Sequence, residues 1–82
     1  LSFFGKVVAI SGNKISLSVS MDSKRFIGSN VKLYKTDSMG RRTVEIGIGK
    51  VISSTGLKAV VEINHSLVSK VSLGDIGEFN FE

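Results

Sequence analysis

One stretch of this chain occurs twice in altered form. Residues 5–20 read GKVVAISGNKISLSVS, and residues 49–64 read GKVISSTGLKAVVEIN. Gly5 and Gly49, Lys6 and Lys50, Val7 and Val51, Gly12 and Gly56, and Lys14 and Lys58 fall in register. Downstream, Ile27-Gly28-Ser29 corresponds to Leu73-Gly74-Asp75, each leading into a strand signal. Each half therefore reads strand, turn, strand, loop, glycine, strand. Two hairpins with similar turns can look alike by coincidence, but five identities at fixed spacing favour an internal repeat. Two such units closing on each other predict an all-β fold. It is a small six-stranded barrel, closed or partly open, with a pseudo-two-fold axis. Closure also removes strand edges that would otherwise invite aggregation.

Local signals agree with strands. Val, Ile and Thr supply 10, 8 and 3 of the 82 residues, and proline is absent. The chain length predicts one domain over residues 1–82. A first residue that is Leu and not Met is expected of a fragment of a larger protein, so a missing leader carries no information. Phe3 to Ile10 reads as a buried strand, and Ser11-Gly12-Asn13 as a turn. Lys14 to Ser20 alternates cleanly, with Ile15, Leu17 and Val19 on one face. Asn30 to Thr36 places Val31 and Leu33 inward. In Thr43 to Ile52 Val44, Ile46 and Ile48 share a face, with Ile46 and Ile48 expected in the core, and Gly47 and Gly49 lie opposite, where glycine marks a bend or bulge. Leu57 to Ile63 turns Ala59, Val61 and Ile63 inward. Residues 64–75 form a connection with room for a helical turn, and Ile76 to Phe81 closes the barrel with Phe79 and Phe81 buried. Phe3 and Phe4 read as core as well.

Catalytic chemistry finds little to stand on. His65 is the single histidine, and it lies in a loop beside Ser66. A nucleophile and its base need a spatial arrangement that adjacency does not provide. The seven Asp and Glu residues are scattered, cysteine is absent, and no metal-ligand spacing is present. Gly47-Ile48-Gly49-Lys50 lacks the third glycine of a dinucleotide fingerprint and the Ser or Thr of a phosphate loop. No catalytic residue, cofactor or metal is therefore assigned, and no apolar run approaches the roughly 20 residues of a membrane-spanning helix. A net charge of +4 suits an anionic partner and equally an ordinary soluble surface. The adjacent cations Lys24-Arg25 and Arg41-Arg42 both read as loop residues and form the expected contact surface. Tyr34 is the one aromatic expected to be exposed, and Lys6, Lys14, Lys50 and Lys58 recur with the repeat.

The order of signals resembles a known family. Gly5-Lys-Val, Ser11-Gly12-Asn13-Lys14, Ile27-Gly28, Val31-Lys-Leu-Tyr34, Ile48-Gly49-Lys50-Val51 and Leu73-Gly74-Asp75-Ile76 are similar to the C-terminal β-barrel of flagellar assembly protein T-like cell-envelope proteins. The segment Ser18 to Asp22 departs from that pattern by lacking glycines. The N-terminal barrel of rotary and helicase-like ATPases is similar in cadence. The first resemblance implies a non-catalytic assembly module in the periplasm or cell envelope, acting on a protein partner. The alternatives are a nucleic-acid-binding small barrel, contacting phosphates through its basic loops, or an accessory ATPase barrel.

Overall fold

The computed structural model describes residues 2–80. Strands β1 (Ser2–Ser11), β2 (Lys14–Val19), β3 (Asn30–Thr36), β4 (Arg42–Ser54), β5 (Lys58–Glu62) and β6 (Ile76–Asn80) follow one another along the chain. Short 3-10 turns occupy Lys24–Phe26 and His65–Lys70. The strands close into a barrel in the order β1-β2-β5-β4-β3-β6, with every neighbouring pair antiparallel. Exchanging β1, β2 and β3 for β4, β5 and β6 leaves this ring order unchanged. Among the described residues no helix is long and apolar enough to cross a membrane.

The β1–β2 hairpin is set by its turn. Ser11 pairs with Lys14, and Gly12 takes the first central place at φ +59°, where a type II′ turn favours glycine. From there the period of two turns Ile15, Leu17 and Val19 into the core. The two connections that follow strand pairs are pinned alike. Gly28 donates its N–H to Val51 O at 2.7 Å, and Gly74 donates to Val7 O at 2.8 Å. Val51 and Val7 donate back to Ser29 O and Asp75 O. The bulge on β1 between Val7 and Ala9 has a counterpart on β4 between Val51 and Ser53.

The core differs from the aliphatic expectation on β4. Val31 and Leu33 point inward and lie opposite Gly49 and Gly47, and opposed residues share a face. The glycines therefore face the interior, while Val44 and Ile48 point to solvent, Ile48 with half its surface exposed (50%). The reason is space. A Cβ on Gly49 would run into Val61 Cγ1 and lie 3.0 Å from Ile63 Cγ2, and one on Gly77 would lie 2.6 Å from Leu17 Cδ1. Ile46 packs partly against the core because the pairing skips a residue between Leu33 and Tyr34.

The first strand also departs from expectation. Phe3, Gly5 and Val7 are buried, whereas Phe4, Val8 and Ile10 are exposed, so β1 is half-buried. Phe3 stacks on Phe79 at 4.7 Å between centroids, and Phe26 meets both edge-on, closing one end of the barrel. At the other end Leu67 and Val68 of the second 3-10 turn pack on the core, in space that Gly47 leaves open. Phe81, expected in the core, lies outside the described residues.

Candidate interaction surface

The four cations expected in loops do not form one surface, and Arg42 opens strand β4. Lys24 and Arg25 ride on the first 3-10 turn, whose backbone is anchored beside Val51. Buried Ser23 fastens that turn through Ser54 Oγ at 2.7 Å and Gly56 O at 2.8 Å. Asp22 accepts the Lys24 N–H at 2.9 Å. Arg41 and Arg42 stand at the opposite end of β4. β4 runs from Arg42 to Ser54, so Val51 lies nine residues along the strand from Arg42 and the two cation pairs stand near its opposite ends.

Arg41 and Arg42 also diverge from each other. Arg41 turns back on its own hairpin and donates from Nε to Asp37 Oδ2 at 3.1 Å. Asp37 accepts the Arg41 and Met39 N–H groups through Oδ1, at 3.0 and 2.9 Å. The Arg41 N–H foremost, aided by the Met39 N–H and the Arg41 guanidinium, holds the Asp37 carboxyl below its ordinary value near 3.8. Arg41 thus helps to close its own loop through Nε, while its side chain stays largely exposed (74%).

Arg42 instead lies across the outer face of the barrel. Its guanidinium carbon is 4.9 Å from the Phe4 ring centroid and 5.0 Å from that of Tyr34. Its Nη1 lies 3.3 Å from Glu78 Oε1, and the Tyr34 hydroxyl donates to the same oxygen at 3.1 Å. Four strands build this cluster: Phe4 from β1, Tyr34 from β3, Arg42 from β4 and Glu78 from β6. The ladder sets it, since Phe4 lies opposite Glu78 and Tyr34 opposite Ile76. Tyr34 is half-buried by these contacts, and Phe4 is the more exposed aromatic (43%). Each Arg–ring contact is worth about 0.5–1 kcal/mol at exposed sites, so the side chain is held in place before any partner arrives.

Beside the cluster runs an open groove of about 350 Å³, lined by Phe4, Gly5, Lys6, Ser18, Val19, Ser20 and Ile76. Exposed Ile48 faces Lys32, and Lys32 faces Glu78, which extends the face across β3. Lys35 takes no part in it. Its ammonium donates to Asp75 Oδ2 at 2.8 Å, Lys70 O at 3.1 Å and Ser72 Oγ at 3.1 Å, clamping the segment before β6 onto β3. Asp75 is buried and also accepts the Ser72 N–H at 2.7 Å, so it serves both the turn before β6 and the ion pair.

No family model matches the chain, and no curated protein or solved structure matches it either. The site therefore rests on its own chemistry. His65 is exposed at the head of the second 3-10 turn, where Asn64 Oδ1 accepts the Ser66 N–H at 2.9 Å. Among the described residues no group of three or more His, Cys, Asp or Glu side chains converges. Sequence reasoning missed Phe4 and Glu78 as the partners of Arg42. The signal that finds Phe4 is parity: once Gly5 is turned inward with Phe3 and Val7 on either side of it at spacing two, Phe4 must point out.

Proposed function

We propose that this barrel is a non-enzymatic interaction module that contributes to assembly within a larger cell-envelope protein and docks a protein partner. The observation that carries the reading is the Phe4–Tyr34–Arg42–Glu78 cluster. Aromatic residues and arginine are enriched where protein interfaces bind most tightly, and a side chain already held in place loses little freedom on binding. The cluster sits on strands and not on loops, so the barrel presents it rigidly. The envelope setting is supported by the glycine and valine pattern described above. The internal repeat is supported by the self-mapping ring order, the paired bulges and the matched bonds of Gly28 and Gly74. A nucleic-acid reading draws less support, because Arg41 and Arg42 already face Asp37 and Glu78.

The test is partner capture with the wild-type chain and a Phe4→Ala/Arg42→Ala variant whose melting shows that it remains folded. The expected outcome is a protein bound by the wild type and lost by the variant. Partner capture indifferent to the double substitution overturns the assignment of this face. Single-stranded and duplex oligonucleotides titrated at low and moderate salt test the alternative. Binding that falls steeply with salt, with no protein partner found, would favour phosphate contact.

A further inference from the structure

We propose that the row Lys6–Ser18–Lys58, with the groove beside it, is a docking site for an acidic peptide segment that carries an apolar residue next to its carboxylate. This rests on the interaction reading above and specifies the chemistry of that partner. The argument comes from comparing the two halves of the barrel. Ser18 on β2 lies between Lys6 on β1 and Lys58 on β5. The corresponding row has Glu62 on β5 between Lys50 on β4 and Lys14 on β2. The lysines of the two rows occupy matching places, and all six side chains are exposed. Only the central residue differs in kind.

Directly opposed side chains on one face have Cβ atoms about 5 Å apart. Glu62 therefore lends its row a carboxylate between two lysines, near enough for screened attraction but without a direct ion pair. Ser18 lends its row no charge. Lys6 faces Ser18 and Ile76, Lys58 faces Ser18, and no acidic residue is opposed to either lysine across the ladder. Glu78, further along β6, is already engaged by Arg42 and Tyr34. A partner's carboxylate laid over Ser18 takes the place that Glu62 holds in the other row, with the Ser18 hydroxyl as an added donor.

The groove shares Lys6 and Ser18 with this row and continues over the Phe4 and Ile76 side chains. A residue adjoining the carboxylate must therefore be apolar to fill it. Phe4 belongs to both the groove and the Arg42 cluster, so the docking site is continuous with the proposed interaction face.

The experiment is an NMR and fluorescence titration of the full chain with a labelled peptide of alternating Glu and Phe, and with its Gln counterpart. The Glu peptide should shift the amides of Lys6, Ser18 and Lys58 and bind more tightly than the Gln peptide. Ser18→Glu fills the anion position from within and should weaken the Glu peptide by about tenfold or more, the effect of losing a charged hydrogen bond. Ser69→Glu makes the same change in net charge at an exposed position on the second 3-10 turn and should leave affinity unchanged. Lys6→Gln gives an independent loss should Ser18→Glu fold poorly. Equal weakening by Ser69→Glu, shifts centred on Lys14 and Lys50, or tighter binding of an oligonucleotide of the same length overturns the proposal. Absence of peptide binding, with partner capture still dependent on Phe4 and Arg42, overturns this site alone and leaves the interaction reading standing.

Discussion

Gly49 shows how tightly a barrel of this size is packed around single atoms. An added Cβ there meets Val61 Cγ1 and Ile63 Cγ2 and stands 3.1 Å from the carbonyl oxygen of Glu62. The tightest of these contacts is with Val61, a fully buried β-branched side chain with no open space to turn into, and the carbonyl belongs to the β4–β5 ladder. Gly49→Ala should therefore destabilise the chain by about 1–3 kcal/mol, the range for overpacking a filled core. Combining it with Val61→Ala should give less than the sum of the two losses, because the cavity made by one accepts the methyl of the other. Urea denaturation of the two single variants and the double variant measures this coupling. Additive losses would mean that the interior is not limited by contact at Gly49.

At the scale of elements, the two glycine-bearing connections perform the same task. Gly28 and Gly74 lie at φ +92° and +93°, and no atom stands within 4 Å of a Cβ added at either. Their requirement for glycine is thus a property of the backbone and not of crowding. Each fastens its connection to a strand through one short N–H···O bond, to Val51 and Val7 respectively. Gly28→Ala and Gly74→Ala should each destabilise by about 1–2 kcal/mol, and by similar amounts. Chemical denaturation of the pair checks this. A negligible loss at one position with a full loss at the other would show that the connections differ in mechanical role despite their matching bonds.

On the scale of the whole molecule, closure brings the ends of the described chain together. Ser2 pairs with Asn80 across β1 and β6. The opposite side of the sequence offers an exposed hairpin tip at Ser38 and Met39. A circular permutant joined by a flexible Gly/Ser linker and opened between Ser38 and Met39 should keep the barrel, because no strand pairing depends on the opened bond. Its far-UV circular dichroism should match the parent, and its melting should stay cooperative at a lower temperature. Loss of the Asp37 bonds to Met39 and Arg41 accounts for the decrease. A permutant that collapses into a non-cooperative state would show that the β3–β4 connection is needed to bring its strands into register.

Much of the architecture was legible along the chain. The alternation of Ile15, Leu17 and Val19, the turn glycines and the likeness of the two halves were enough to predict six strands in a barrel, because period and turn chemistry are local properties. Which face of β4 points inward was not local. Aliphatic residues at Ile46 and Ile48 look like core until Val61, Ile63 and Leu33 occupy the interior and leave room only for glycine. The candidate site was legible only in its parts. Arg42 and Tyr34 were identifiable as a cation and an aromatic, but their meeting with Phe4 and Glu78 depends on the pairing of β6 with both β1 and β3. Adjacency suggested that Arg41 and Arg42 act together with Lys24 and Arg25. The strand geometry separates them, because consecutive residues at a strand end diverge and the two pairs lie near opposite ends of β4. Local patterning determines which segments extend and where they turn, whereas register across non-neighbouring strands decides which side chains meet.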